Sequence, residues 1–150
     1  MDLSEEMLKK AKAKIASEKV QFTQADITQS WNFPENSFDL ITFSLVLEHI
    51  EHLDPVFQAV SSSLASGGQV YIGELHPFKQ YSGSKARFET DAGQLIVPCF
   101  THHISDFTRS GRNHGLELEF VDEYFDEDRS IPRILTLMFR KTQTNSNFRA

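Results

Sequence analysis

Phe33-Pro34-Glu35-Asn36-Ser37-Phe38-Asp39-Leu40-Ile41-Thr42-Phe43-Ser44 is the stretch on which the reading of the fold turns. Pro34, Glu35 and Asn36 form a turn, and Phe38 to Phe43 then runs nearly unbroken in apolar residues. A short apolar run with little polar alternation reads as a strand buried on both faces of a parallel sheet. Downstream, Asp54-Pro55 predicts a helix start, with the cap followed by proline at the first helical position. Phe57, Val60 and Leu64 give that helix its apolar face, and Gly67-Gly68 is expected to stop it. Gln69 to Leu75 reads as the next strand, closed by His76-Pro77.

On the N-terminal side, residues 3–17 predict an amphipathic helix, with Leu3, Met7, Leu8, Ala11 and Ile15 on one face and Lys9, Lys10, Lys12 and Lys14 towards water. Asp2 or Ser4 is its expected N-cap, and Asp2 with Glu5 has the spacing of a capping box. Val20 to Ala25 alternates as a strand that ends at Asp26. On the C-terminal side the pattern loosens from Phe78 to Phe100, as in a loop or small insertion. Ser105 to His114 predicts a helix ending at Gly115, and Leu116–Phe125 and Arg133–Arg140 predict an antiparallel pair around a turn containing Asp126, Asp128 and Pro132. Helices alternating with strands predict an α/β fold with a mostly parallel sheet and an antiparallel C-terminal pair. No internal linker is evident, so residues 1–140 read as one domain and 141–150 as a polar tail. Ligands in such folds sit beyond the carboxyl ends of the strands, where Asp26, Ser44 and Glu74 fall.

Composition narrows the classes of function. The net charge is −6 and the basic residues do not cluster, which argues against a surface that tracks nucleic-acid phosphates. Cys99 is the single cysteine, so there is no intramolecular disulfide and no cysteine-built metal site. No apolar run reaches the length of about 18 residues that a membrane span requires. A cytoplasmic protein without nucleic-acid or membrane partners is the expectation.

The order and wording of three segments resemble the class I S-adenosylmethionine-dependent methyltransferases, in particular the small-molecule branch related to quinone-biosynthesis enzymes. The first is Asp2-Leu3-Ser4-Glu5-Glu6-Met7-Leu8, which looks like the end of the second strand and the start of the following helix. The second, Gln24-Ala25-Asp26-Ile27, looks like the end of the third strand. The longest runs from Phe33 to Ile41 through Leu47-Glu48-His49-Ile50 to Gly67-Gly68-Gln69-Val70-Tyr71-Ile72. Together they span about residues 2–76 and imply a Rossmann-like methyltransferase sheet with S-adenosyl-L-methionine as cofactor. By that resemblance Asp2 accepts from the two ribose hydroxyls, while Leu3 and Met7 line the adenine pocket. Asp26 accepts from the adenine amino group, flanked by Ala25 and the Ile27 backbone. Ser44 and Leu45 fall near the methionine part, and His49 near the sulfonium. His102-His103-Ile104-Ser105-Asp106-Phe107 followed by Gly115 resembles, more weakly, a segment that precedes a late helix.

The family pattern begins with a strand and a glycine-rich loop, whereas this chain opens at Met1-Asp2, where that unit would end. None of its seven glycines forms such a loop. The sheet is therefore expected to be N-terminally incomplete. In the family order the missing strand lies at the centre of the sheet, and its loss with the second strand would leave the third about three strand spacings, roughly 14 Å, from the fourth. A longer natural protein, direct closure of third strand on fourth, or a homodimer that covers the exposed edges would each resolve this.

Methyl transfer from a sulfonium is an in-line displacement, to which the protein contributes positioning and, for an oxygen or nitrogen nucleophile, a base. His49, His102, His103 and His76 are the candidates, since histidine exchanges protons near neutral pH. Each has a plainer alternative: a solvated polar face for Glu48 to His52, a strand terminus for His76, a surface or hinge pair for His102-His103, a cap for Asp2 and a turn for Asp26. Glu48 and His52 have the i,i+4 spacing of metal ligands, but no third ligand is evident, so no metal is expected. Glu74, His76, Tyr81 and His102 are the expected substrate-side residues. The segment 78–100 would form a lid whose Phe78, Tyr81, Phe88 and Phe100 suit an apolar or ring-bearing small molecule. A non-catalytic remnant acting as a partner or homodimer subunit is the alternative function. A nicotinamide-dependent oxidoreductase shares the α/β pattern but fits the stretch Pro34–His49 poorly.

Overall fold

The computed structural model describes residues 1–83, 87–90, 93–96, 99–127 and 130–142; for 87–90 and 93–96 it describes the backbone path. Asp128 of the expected turn, the side chain of Phe88 and the polar tail beyond Thr142 lie outside these. The chain divides into two compact units, residues 1–32 and 33–150.

In the first unit the helix α1 spans Glu5–Lys14, shorter at both ends than residues 3–17. Ser4 is its N-cap, the hydroxyl accepting from the Met7 amide at 3.2 Å, and Asp2 Oδ1 accepts from the Ser4 amide at 2.8 Å. Asp2 thus braces the cap without being the cap. Of the predicted apolar face only Leu8 is buried; Leu3, Met7 and Ile15 are exposed. The expected strand over Val20–Ala25 is reduced to one parallel bridge between Asp2 and Gln24. The Asp2 amide donates to the Thr23 carbonyl at 3.2 Å, and the Ala25 amide to the Asp2 carbonyl at 3.1 Å. Gln24 adds a side-chain bond to the Leu3 carbonyl. One residue of pairing ends the ladder, so a period-2 pattern here was not enough to specify a strand.

The second unit holds a four-stranded sheet in the order β1-β2-β6-β5, where β1 is Phe38–Ser44, β2 Leu64–Leu75, β5 Leu116–Phe125 and β6 Pro132–Lys141. β1 and β2 are parallel; β6 runs antiparallel to both β2 and β5. The α/β class and the antiparallel C-terminal pair are as read from the sequence, and β1–β2 is the one parallel pairing in this sheet. A separate hairpin joins β3, Arg87–Thr90, to β4, Gly93–Ile96, within the segment expected to loosen. The helices are α2, Leu53–Ser63; α3, Pro77–Tyr81; and α4, Ile104–Asn113.

Two local expectations are corrected. β1 is not buried on both faces: it forms an edge of this sheet, and Leu40 is 54% exposed while Phe43 is buried. The apolar run reported strand and not depth. The helix after it starts earlier and stops earlier than Asp54-Pro55 and Gly67-Gly68 predict. Its N-cap is His52, without a side-chain bond, and Asp54 and Pro55 fall in the first turn, where an acid suits the helix dipole and a missing N–H costs nothing. It ends at Ser63, and Gly67 and Gly68 instead shape an irregular entry into β2, between the pairings Phe38–Leu64 and Leu40–Gln69. Gly67 has φ +76°, and a side chain on Gly68 would meet the carbonyls of Ala65 and Phe38 at 2.9 and 3.0 Å.

The core lies where α2 and α4 meet the sheet. Leu53, Val56, Phe57 and Val60 recur at helical spacing and are all buried, as are Val70 and Ile72 of β2 and Leu135, Leu137 and Phe139 of β6. Phe57 and Phe139 pack edge to face with centroids 5.9 Å apart. Gly111 of α4 lets that helix approach: a Cβ there would lie 2.7 Å from a ring carbon of Phe139. Phe139 is fully buried and cannot swing aside. Gly111→Ala is therefore expected to destabilise the chain by about 1–3 kcal/mol through overpacking, despite the better helix propensity of alanine. Urea unfolding checks this; unchanged or raised stability would show that α4 can shift outwards.

Candidate active site at the strand ends

The parallel pair β1–β2 ends with Ser44 opposite Gly73, so both strands deliver their carboxyl ends to the same place. Val70, Ile72 and Glu74 alternate on one face of β2, and all three are buried. Glu74 thus continues an apolar row with a carboxylate. Its Oε1 accepts from the amides of Val46 and Leu47 at 3.1 Å each, and its Oε2 from the amide of Glu48 at 3.4 Å. Those three amides open a short 3-10 turn, Leu47–His49. The strand therefore caps the turn that leaves its neighbour.

Immediately before the turn, Leu45 has φ +52°, a left-handed conformation that costs a leucine of the order of 1–2 kcal/mol. Bonds on both sides hold it there: the Leu45 amide donates to the Gly73 carbonyl at 2.9 Å, and Glu74 takes the next two amides. Strain persists where the surroundings over-determine it. Ser44 and Leu45 are both exposed at this end of β1.

Burial raises the pKa of Glu74 from its ordinary 4.5 to about 7; the three amide bonds pull against that, and the nearby Glu48 carboxylate adds to it. Glu48 is itself buried, so the plainer alternative of a solvated face fails at that residue, whereas Glu51 and His52 are exposed. Glu48 and His52 also share no helix, because the 3-10 turn ends at His49 and His52 caps α2.

The segment before α4 closes over the turn. The Phe100 amide donates to the Glu48 carbonyl at 2.7 Å, and His102 Nε2 lies 2.7 Å from the Ile50 carbonyl. A carbonyl only accepts, so His102 carries its proton on Nε2. His102 is buried against Phe107, its rings 5.8 Å apart. His49 is half-buried, with Nδ1 3.7 Å from the thiol of Cys99. α3 reaches the same segment: Gln80 bonds the Phe100 carbonyl, and the phenol of Tyr81 bonds Nδ1 of His103. His103 caps α4, its amide bonded to the Asp106 carboxylate at 2.8 Å. His76 faces elsewhere: its Nδ1 accepts from the Phe78 amide, so Nε2 carries the proton and donates to Glu123 of β5 at 2.8 Å. Buried with both nitrogens used, His76 ties α3 to the sheet, which is the plainer of its two roles.

Glu74, His49, His102, His103 and Tyr81 are thus linked through one continuous set of contacts around 46–50, 80–81 and 99–103, with Leu45 at its edge. Glu48 and Cys99 belong to the same set and were not singled out as site residues from the sequence. The one available signal was Glu48 standing beside His49 in Leu47-Glu48-His49-Ile50. A shallow surface depression lined by Thr108, Arg112, Leu116 and Leu118 contains none of these residues.

In the first unit the bridge to Gln24 sets Asp2 beside Ala25 and next to Asp26 in the chain. Asp26 Oδ1 accepts from both the amide and the hydroxyl of Thr28, at 2.9 and 2.7 Å, and these bonds hold its pKa below the usual carboxylate value. Asp26 is then an ionised acceptor in a turn. The Trp31 indole donates to the Ile27 carbonyl at 2.9 Å. Leu3 and Met7 stand exposed on the same unit.

The mixed four-stranded sheet matches the Rossmann-like fold of solved methyltransferases. An S-adenosylmethionine-dependent methyltransferase from Mesorhizobium loti superposes with a TM-score of 0.73 over 92% of this chain and 77% of that one, at 21% identity. The sequence agrees: residues 1–72 match the family model described as a methyltransferase domain. A protein of Haemophilus influenzae is 25% identical over 117 residues, covering 75% of this chain and 46% of that protein. The ubiquinone/menaquinone biosynthesis C-methyltransferase of Ectopseudomonas mendocina is 29% identical over 106 residues, covering 64% of this chain and 41% of that enzyme. The chain spans less than half the length of these two curated relatives.

Glu74 binds its proton more tightly in the folded state, at about 7 against 4.5, so its contribution to stability is full below about pH 4.5 and is lost as pH rises through about 7. Relative to Glu74→Gln, the wild-type chain is expected to lose about 3 kcal/mol between about pH 4.5 and about pH 7.5. Urea unfolding of both proteins at the two pH values reads the difference. Parallel pH dependences would contradict a buried, proton-retaining Glu74.

Proposed function

We propose that this chain carries out S-adenosyl-L-methionine-dependent methyl transfer to a small molecule, by in-line displacement at the sulfonium methyl. The observation that carries the reading lies in the first unit, where one bridge pairs Asp2 with Gln24 and the Ala25 amide donates to the Asp2 carbonyl, so the family-matching Asp2 and Asp26 stand on neighbouring segments. The donor set fits the cofactor: ribose hydroxyls and an adenine amino group donate, and carboxylates accept. Asp2 would take the ribose and Asp26 the adenine amino group, with Ala25 and Ile27 beside it and the exposed Leu3 and Met7 offering apolar surface to the ring. When bound, the cofactor supplies an electrophilic methyl carbon on a positively charged sulfur.

The chain's own residues would position the acceptor and manage its proton. Ser44 and Leu45 mark the end of β1, and Glu74 holds the turn that follows. His49 is the candidate base on that turn. His102, with its proton directed to the Ile50 carbonyl, is suited to fixing the segment that carries it, whereas His103 with Tyr81 offers a second imidazole at the start of α4. Exposed Phe78 and Tyr81 with half-buried Phe100 support an apolar or ring-bearing substrate. No helix of the described residues is long and apolar enough to cross a membrane, and a cytoplasmic setting is part of the same reading. So is a homodimer, supported by Phe120, Val121, Tyr124 and Phe125 standing exposed along β5.

Calorimetric titration with S-adenosylhomocysteine tests the reading. Micromolar binding, about −8 kcal/mol, is expected of the folded chain, and Asp26→Ala should weaken it at least about tenfold, or about 1.4 kcal/mol. A folded chain that shows no binding would overturn the proposal.

A further inference from the structure

The imidazole of His49 stands between a thiol and a carboxylate. Cys99 Sγ lies 3.7 Å from Nδ1, within reach of an S–H···N bond, and Nε2 lies 3.9 Å from Glu48 Oε1. Thiol, imidazole and acid are in the order that activates a sulfur nucleophile, with the base oriented by a third group. Glu48 is 8% exposed, and its Oε2 has no hydrogen-bond partner among the described residues. A buried carboxylate with an unmet oxygen lacks its charge complement. Transfer of the thiol proton to Nδ1 creates that complement, an imidazolium facing Glu48. Cys99 is half-buried and not sealed in the core.

We propose that Cys99 is a nucleophilic thiol, activated by His49 with Glu48 as the positioning residue, and that it undergoes exchange with small disulfides. Nδ1 takes the proton, and the thiolate attacks one sulfur of the disulfide. A new S–S bond forms to Cys99, the original one breaks, and the second sulfur leaves as a thiolate. The small disulfide is the only oxidant involved. This site needs no cofactor and stands independently of the methyl-transfer reading. Modification there would place a group beside His49, against the turn that follows β1.

Cys99 is the only cysteine, so its reaction with dithiobis(nitrobenzoic acid) is read without interference from another thiol. At neutral pH the folded chain is expected to react at least about tenfold faster than the same chain unfolded in guanidinium chloride, because a paired thiolate outpaces a free thiol. His49→Gln should lower the folded rate at least about tenfold, and Glu48→Gln by a smaller factor. A buried, inert cysteine gives the opposite order, slower folded than unfolded. That order, or a folded His49→Gln chain that reacts as fast as wild type, would overturn the proposal; if the variant fails to fold, the wild-type comparison decides alone.

Discussion

The carboxylate of Glu74 bound to the amides of Val46, Leu47 and Glu48 is the contact on which the arrangement at the strand ends depends. A parallel pair leaves each strand's exit loop without a ladder partner, and the amides that open a 3-10 turn have no acceptor of their own. Glu74 supplies one from the neighbouring strand. The opposing effect is desolvation, large enough to hold the group near pH 7, so the bond network and the burial pull the proton in opposite directions. A carboxylate kept under that tension on a buried row is seldom a packing solution, since an apolar residue would continue Val70 and Ile72 at lower cost.

From this contact the rest of the site follows in sequence. The strained Leu45 can keep φ +52° because the residues after it are fixed. The turn it opens presents His49 and buries Glu48, and the carbonyls of Glu48 and Ile50 then receive the Phe100 amide and the His102 ring. Those two bonds bring the start of α4 to the strand ends, and α4 is seated from behind by the close approach of Gly111 to Phe139. Core packing and site geometry therefore meet in one helix. The ties from α3 to the sheet, through His76 to Glu123 and Lys79 to Asp126, fix the third element that borders the turn.

Much of this was legible in the residues. Turn, strand, helix and strand from Phe33 to Leu75 follow from punctuation and apolar periodicity, and β5 over Leu116–Phe125 was read to the residue. Depth was not legible: Phe38 to Phe43 has the composition of a buried strand and sits at a sheet edge, because composition records what a strand can bury and not what covers it. Gly67-Gly68 was misread because a glycine pair punctuates a helix end and an irregular strand entry equally well, and only the pairing to Phe38 separates them. At the site, Glu74 stands out by its position at a strand end, and His49 by the resemblance to the methyltransferase pattern. Glu48 does not, because His49, Glu51 and His52 beside it suggest a solvated face; the Phe100 amide that bonds its carbonyl is about fifty residues away in sequence. Nothing local in the sequence links Cys99 to His49.

Glu74 holds the turn after β1. Amide hydrogen exchange in the wild-type chain and in Glu74→Ala tests it directly. The amides of Val46, Leu47 and Glu48 should be protected in wild type and exchange freely in the variant, while Ile72 and Leu137 in the β2–β6 ladder keep their protection. Equal protection of residues 46–48 in both proteins would contradict the account, because the turn would then be held by something other than Glu74.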